Sequence, residues 1–370
     1  MTASDRTRIA LLFGGRSAEH DVSIMSARTV LGALDRNVYD VTLIAITRDG
    51  RWLLCGEPDD VANLRVPDEG PLAALVPGSG GALVVLPAES TAGGPTQLHS
   101  IDVLFPVLHG PHGEDGSVQG LARLAKLPCV GADVTASAIA LDKEVTKRLV
   151  EAAGLRVTPY RTIQRDGPLP PFDEIVAALG RPFFVKPASL GSSVGVSVVS
   201  EPAEFRPAVD EALRHDRKIL LEARMVAREI ECGVLERSDG LVFVAEPGEI
   251  VPTNRYAFYN YDAKYLDENG ALLRVPADLP PALASRAKEG ARRVFDLVGC
   301  QGMARVDFFL TEDNELVVNE VNTIPGFTHA SMFPRVMEAS KLAMPIVVGE
   351  LIEVARRNFH SGDEGRNSLR

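Results

Sequence analysis

The stretch Ala304 to Gly326, ARVDFFLTEDNELVVNEVNTIPG, constrains this chain more than any other. It reads as two short strands around a polar turn, Thr311-Glu312-Asp313-Asn314. Val306, Phe308 and Leu310 alternate on the way in, and Val317 and Val321 continue on the way out, as half-buried strands do. A two-residue turn at Asp313-Asn314 sets Asp307 opposite Glu320. A four-residue turn sets Asp307 opposite Val318 and Arg305 opposite Glu320. In either register the period of two puts Arg305, Asp307, Glu320 and Asn322 on one face and the apolar set on the other. Two carboxylates, a carboxamide and a guanidinium gathered there repel or stay unpaired without a partner. Hard oxygen donors converging in this way suit Mg²⁺, which takes one or two carboxylates plus substrate phosphates. The plain alternative is a solvated outer sheet face with incidental charge.

A chain of 370 residues has room for about two to three domains. Its net charge of −11 argues against nucleic acid or an anionic membrane as the main partner. An anionic substrate therefore has to meet local positive charge. The N-terminal MTASDRTRIALLFGG carries only a short apolar run, which reads as neither a signal peptide nor a membrane span. A cytoplasmic protein is expected. Cys55, Cys129, Cys232 and Cys300 lack metal-ligand spacing and read as buried free thiols.

Ile9 to Phe13, Gly14-Gly15 and a helical run from Ala18 to Leu34 form the strand, turn and helix that open an α/β sheet, where ligands gather at the carboxyl ends of strands. Glu19 falls near that helix N-terminus, where it complements the macrodipole or binds an ammonium group. Val41 to Thr47 is a second strand, and 55 to 100 reads as a variable surface excursion with a short run at Ala82 to Leu86. Ile101 to Leu108 is a strand that ends in HGPHGEDG, glycine-rich enough to hold backbone close to something, with His109 able to orient a neighbour or a substrate. Ala136 to Gly154 reads as one helix with Asp142-Lys143 near its middle, and 164 to 173 as a loop.

Phe183 to Lys186 is a strand feeding the small, polar run PASLGSSVGVS. Such a loop either covers a nucleotide, with its amides and Lys186 on phosphates, or is an ordinary hairpin turn. Ile219 to Glu222 is a strand ending at a carboxylate that either meets a ribose or an adenine amino group or is simply solvated. Glu229 to Val234 begins another strand. Residues 246 to 270 hold four of the six tyrosines, with Lys264-Tyr265 among them, and a loop of that length is a lid or a binding loop. An amphipathic helix over 280 to 298 precedes the hairpin, and a last helix around Pro345 to Arg356 closes the chain before a frayed tail.

Six runs in this order, GGRSAEHDVS, LHGPHGEDGSVQG, LDKEVTK, VKPASLGSSVGVS, YDAKYL and ARVDFFLTEDNELVVNEVNTIPGFTHASM, resemble the D-alanine–D-alanine ligases of the ATP-grasp superfamily. The resemblance spans residues 8 to 358 and is weak between 55 and 100. It implies an α/β fold of three domains: an N-terminal open parallel α/β domain (1–135), a central ATP-grasp subdomain (136–222) and a C-terminal one with the metal site (223–362), followed by a tail (363–370). It implies that ATP phosphorylates one D-alanine to D-alanyl phosphate, that a second D-alanine displaces the phosphate, and that the dipeptide serves peptidoglycan precursor synthesis.

By the same resemblance Asp307, Glu320 and Asn322 hold two Mg²⁺ or Mn²⁺ ions. Lys143 and Lys186 bind phosphates under a Gly191–Gly195 flap that carries Ser192 and Ser193. Glu222, Ala223, Met225, Glu229 and Lys264 contact the nucleotide. Glu19, with Val22 beside it, holds the ammonium of the first D-alanine, steadied by Ser192 and Tyr265, and His109 lines that pocket. Arg305 and the Gly326 backbone stabilise an oxyanion, while Ser331 and Met332, the latter in place of a more usual Leu, bind the second carboxylate. A homodimer formed through the N-terminal region is expected. Two rivals are a relative that joins D-alanine to a hydroxy acid, against which Lys264-Tyr265 argues, and a nucleotide-binding module without catalysis, against which the complete residue set argues.

Overall fold

The computed structural model describes residues 6–56, 58, 60–86, 97–252 and 271–367. Its elements begin with β1 (Thr7–Gly14), α1 (His20–Ala33) and β2 (Tyr39–Ile46). There follow β3 (Trp52–Cys55), β4 (Leu72–Leu75), β5 (Ala82–Leu86), β6 (Gln97–Ser100) and β7 (Val103–Pro106), in a first sheet ordered β6-β5-β4-β3-β2-β1-β7. Only β2, β1 and β7 run parallel, and β3 to β6 are added antiparallel. The sheet is thus mixed, and the stretch expected to be a surface excursion extends it. Its strands are short, yet β4 alternates buried and exposed residues as a one-sided strand should.

The single helix expected over 136 to 154 is two, α3 (Val134–Leu141) and α4 (Lys143–Ala152), which follow α2 (Ser117–Leu124). Asp142 breaks them. Its side chain accepts the amides of Glu144 and Val145, taking over from helical carbonyls as an N-cap does. The Lys143 amide leaves the helix pattern too and donates to Ala188 O at 3.0 Å. The break moves Lys143 from mid-helix to the first position of α4.

A second sheet, ordered β11-β10-β12-β9, comprises β9 (Tyr160–Gln164), β10 (Phe183–Pro187), β11 (Ser197–Val199) and β12 (Lys218–Ala223). Between the first two lies α5 (Phe172–Leu179), so the expected loop ends at Phe172; α6 (Pro202–His215) packs on the same sheet. The third sheet collects β8 (Arg156–Val157), β13 (Arg228–Glu236), β14 (Val242–Val244), β15 (Gly248–Pro252), β16 (Ala271–Arg274), β17 (Met303–Leu310) and β18 (Leu316–Asn322). Residues 246 to 252, expected as the start of a lid, therefore carry strand β15, while 253 to 270 fall outside the described residues.

Helix α7 (Pro281–Val298) covers one face of that sheet. Ala136, Ala140 and Val150 join α7 in the same core, so α3 and α4 belong with the third sheet and not the second. The last helices are α8 (Met332–Ala339) and α9 (Met344–Asn367), the latter running eleven residues past the expected end. Phe327, Phe333, Val336 and Met337 pack into one cluster with Ile9, Leu11 and Phe13 of β1 and Ala27 and Val30 of α1. That shared core fixes the third unit against the first, and the candidate site lies along the seam.

Candidate active site

The β17–β18 hairpin shows how sequence becomes a reactive surface. Neither expected turn is found. Leu310 pairs with Leu316, and the turn closes through the Thr311 amide to Glu315 O and the Asn314 amide to Thr311 O, both 3.0 Å, with Asn314 left-handed at φ 58°. Continued regularly, that register would set Glu320 opposite Val306, among apolar side chains. A bulge between Asp307 and Phe308 prevents it: Phe308 pairs with Val318, but Asp307 with Glu320 and Arg305 with Asn322. Val318 and Val321 thereby both reach the core beside Val306 and Phe308. Val317, expected on the apolar face, lies opposite Phe309 on the polar one.

On that polar face Arg305 donates from Nε to Asp307 Oδ1 at 2.8 Å and from Nη2 to Oδ2 at 2.7 Å, and its Nε lies 3.0 Å from Glu231 of β13. Burial alone would lower the Arg305 pKa, but Asp307 and Glu231 outweigh it and hold the guanidinium well above its ordinary range. Asn322 Nδ2 donates to Asp307 Oδ2 at 3.1 Å. Among the described residues no three His, Cys, Asp or Glu side chains form a metal cluster. Two carboxylates with a carboxamide are nonetheless a donor set for a hydrated Mg²⁺ that shares its ligands with phosphate. Asp307, Glu320 and Asn322 fit such an ion.

A cleft of about 270 Å³ separates this face from the second sheet. The β10–β12 register sets Phe184 opposite Glu222, with Lys186 two residues along the same face. Ser193, Ala223, Met225, Glu229 and Phe309 complete its walls, with Asn319 and Glu320 entering side by side from the bulge. Lys143 Nζ donates to Leu190 O at 2.7 Å and lies 3.6 Å from Glu320. It thus links the flap to the hairpin. In the flap Ser192 and Ser193 are left-handed, with φ of 51° and 59°, and Ser192 Oγ is buried with no hydrogen-bond partner among the described residues. A non-glycine pair held there stores strain, which a flap that must reshape around a ligand can release.

Glu222 is buried, and both its oxygens are taken by ammonium groups: Oε1 by Lys147 at 2.6 Å and Oε2 by Lys186. Burial would raise its pKa, yet Lys186 and Lys147 together hold it below the ordinary range. Burial pulls Lys147 down, with Glu222 opposing.

Past the cleft a small cavity of about 50 Å³ is walled by Glu19, His109, Ser192, Arg305, Asn322 and Gly326, among others. Glu19 is the N-cap of α1, and a Cβ on either Gly110 or Gly191 would come within 3.4 Å of its Oε2. Both glycines let backbone approach that carboxylate. His109 is buried, which lowers its pKa. Its Nδ1 donates to Ile324 O at 2.9 Å, leaving Nε2, 3.2 Å away, to accept from Ser26 Oγ, which itself accepts the Phe327 amide at 3.0 Å. A Cβ on Gly326 would lie 2.6 Å from Ser331 Oγ, so a larger residue there would displace the Ser331 hydroxyl. Met332 turns its side chain into the core against Gly248, which leaves its backbone, at the start of α8, as the part that can meet a carboxylate. Val22 is buried on α1 and does not line the cavity. Lys264 and Tyr265 lie outside the described residues.

Sequence reasoning passed over four supports. Lys147 sits one helical turn after Lys143. Glu231 sits two residues after Glu229 on the charged side of a Glu-Ile-Glu-Cys alternation. Ser26 signalled nothing. Glu114, buried in the glycine-rich loop, accepts the amides of Gly110 at 2.8 Å and Ile324 at 2.9 Å and so ties the first unit to the segment that carries Gly326.

Burial pushes Glu114 up to about 7, helped by nearby Glu19 and opposed by the two amides. A carboxyl raised in the folded state contributes stability that is full below its unfolded pKa and is lost as pH rises through about 7. That contribution is about 3 kcal/mol at most. The thermal midpoint should therefore fall between pH 5 and pH 8, and fall less in Glu114→Gln. The same variant turns one acceptor into a donor facing an amide, and kcat should drop by about tenfold.

Comparison with known proteins gives one consistent result. A family model described as D-ala D-ala ligase N-terminus matches residues 8–132, and one described as D-ala D-ala ligase C-terminus matches residues 149–353. The chain is 50% identical over 354 residues to the D-alanine–D-alanine ligase A of Mesorhizobium japonicum, covering 95% of this chain and 98% of that one. It is 47% identical to the enzyme of the same name from Brucella suis biovar 1, with the same coverage. Among solved structures, the D-alanine–D-alanine ligase from Coxiella burnetii superposes with a TM-score of 0.85 at 34% identity, covering 98% of each chain. The VanG D-Ala:D-Ser ligase from Enterococcus faecalis does so with a TM-score of 0.79 at 32% identity, covering 95% of this chain and 99% of that one.

Proposed function

The chain belongs to the D-alanine–D-alanine ligase family, and from that premise we propose how its residues divide the work. The enzyme joins two D-alanine molecules with ATP for peptidoglycan synthesis, on an ATP-grasp fold. A free carboxylate is a poor acyl donor because its leaving group would be oxide. Its oxygen first attacks the γ-phosphorus of ATP, the bond to ADP breaks, and D-alanyl phosphate forms. The amine of the second D-alanine then attacks the carbonyl carbon, phosphate leaves, and the amine sheds a proton. Both steps build negative charge, so directed positive charge and amides do more than a protein nucleophile would.

In this reading the nucleotide lies in the cleft, with its base near Glu222, Ala223, Met225 and Glu229 and its phosphates near Lys143 and Lys186. Asp307, Glu320 and Asn322 would hold Mg²⁺ or Mn²⁺. Such an ion, when bound, neutralises charge on the phosphates. Glu19 binds the ammonium of the first D-alanine with Ser192 beside it, and the His109–Ser26 chain holds the pocket floor. Arg305 and the Gly326 amide face the oxyanion. Ser331 and the Met332 backbone receive the second carboxylate. The flap excludes water from the acyl phosphate. Tyr265, proposed to steady the first ammonium with Ser192, and Lys264, proposed to meet the nucleotide, lie outside the described residues. Three units, a homodimer and a cytoplasmic setting complete the proposal. Among the described residues no helix is long and apolar enough to cross a membrane.

One observation carries the assignment: the bulged register that puts Arg305, Asp307, Glu320 and Asn322 on one face within reach of Lys143. Phosphate release from Mg-ATP should be measured with D-alanine, L-alanine, D-alanine plus D-lactate, and D-alanine plus D-serine, with products identified by mass. Release with D-alanine alone, yielding the dipeptide, is expected. Release only when D-lactate or D-serine is added would overturn the second-site assignment while keeping the fold and first step.

A further inference from the structure

Lys147 is the most deeply buried cation among the described residues that carries no role in the proposed mechanism. It is 1% exposed, its Nζ lies 2.6 Å from Glu222 and 5.7 Å from the centre of the Tyr160 ring, and it is not among the residues that line the cleft. Lys186, the other partner of Glu222, lines the cleft. One carboxylate thus holds two ammonium groups, of which one lines the cleft and the other is buried behind it.

That asymmetry has an electrostatic consequence. Phosphates entering the cleft draw Lys186 away from Glu222. A buried carboxylate stripped of its only cation is costly, so with Lys186 alone the pair would resist opening. With Lys147 fixed behind it, Glu222 stays paired when Lys186 leaves, and the cluster carries one positive charge in excess, which suits an incoming anion. We propose that Lys147 is a positioning residue that frees Lys186 for the ATP phosphates by remaining as the standing counter-ion of Glu222. This deepens the ligase reading and rests on its placement of ATP in the cleft.

The test compares a ligand that calls Lys186 away with one that does not. In Lys147→Met the KM for ATP and the inhibition constant of Mg-ADP should both rise by about tenfold. Inhibition by adenosine, the KM for D-alanine and kcat at saturating ATP should change by less than about threefold. Lys147→Arg keeps the charge and should restore ADP inhibition to near wild type. Equal weakening of ADP and adenosine would overturn the proposal, since Lys147 would then serve only to hold Glu222 for the base, and so would no weakening of either.

Should Lys147→Met fail to fold, the pair K147M/E222Q removes both buried charges and is compared with E222Q alone. Equal ADP inhibition in the two is expected. A further tenfold loss in the pair would overturn the charge-release role. Lys186→Met separates this inference from the reading beneath it. If that variant leaves the KM for ATP unchanged, the nucleotide placement itself is wrong, whereas a raised KM there with unaltered Lys147→Met sinks the Lys147 role alone.

Discussion

Asp307→Asn is expected to lower kcat by about a thousandfold, the scale of losing a metal ligand and an electrostatic anchor together. The side chain keeps its volume but loses its charge, and its new NH₂ cannot accept from the Arg305 guanidinium, which can only donate. In the native enzyme Asp307 accepts two bonds from Arg305 and one from Asn322. The amide satisfies some of them and opposes the rest. Arg305 retains Glu231 at 3.0 Å, which keeps the guanidinium paired and the fold intact. The effect should therefore appear in turnover and in the Mg²⁺ concentration for half-maximal activity, with little change in the KM for D-alanine, whose ammonium we propose is bound by Glu19. Steady-state kinetics across a Mg²⁺ titration measure all three. Turnover within about threefold of wild type would remove this face from the phosphate chemistry.

What made that face legible in the sequence was period: residues two apart on a strand share a side whatever the turn does, so Arg305 and Asp307 could be grouped before any register was known. Grouping Glu320 and Asn322 with them was right for a reason the sequence hid. The turn found is neither of the two considered, and one extra residue in β18 restores the pairing that a regular ladder would have lost. Bulges leave little local signal, which is why Val317 was placed on the wrong face.

Asp142 is a comparable case. Its neighbours have good helical periodicity, and only tertiary partners reveal a cap: Lys218 at 2.7 Å from its Oδ1, and the Ala188 carbonyl that takes the Lys143 amide. The short strands of the first sheet were lost among Pro and Gly because each pairs only a few residues and draws its stability from its neighbours. The buried supports Glu114, Glu231 and Lys147 are the hardest class. A lone charged residue reads as solvated until burial and partner are seen together, since those two facts belong to the fold and not to the local sequence.

Arg305→Ala is the second large effect. Under the proposed oxyanion role of Arg305, loss of that donor should lower kcat by about 10²–10³. A stability penalty of about 3–5 kcal/mol should accompany it, because the substitution takes away the guanidinium that two buried carboxylates, Asp307 and Glu231, share. The two consequences need separating, and Arg305→Lys does so. An ammonium restores one positive charge to the buried pair, so thermal unfolding should recover most of the midpoint lost in the alanine variant. It cannot recover the fork, in which Nε and Nη2 grip Asp307 while Nε also faces Glu231. Without that grip the cation is not held at the place proposed for the tetrahedral oxyanion. Turnover of the lysine variant should thus stay at least about tenfold below wild type while its stability returns. A lysine enzyme with native turnover would mean that Arg305 contributes charge alone and that the amide of Gly326 carries the oxyanion.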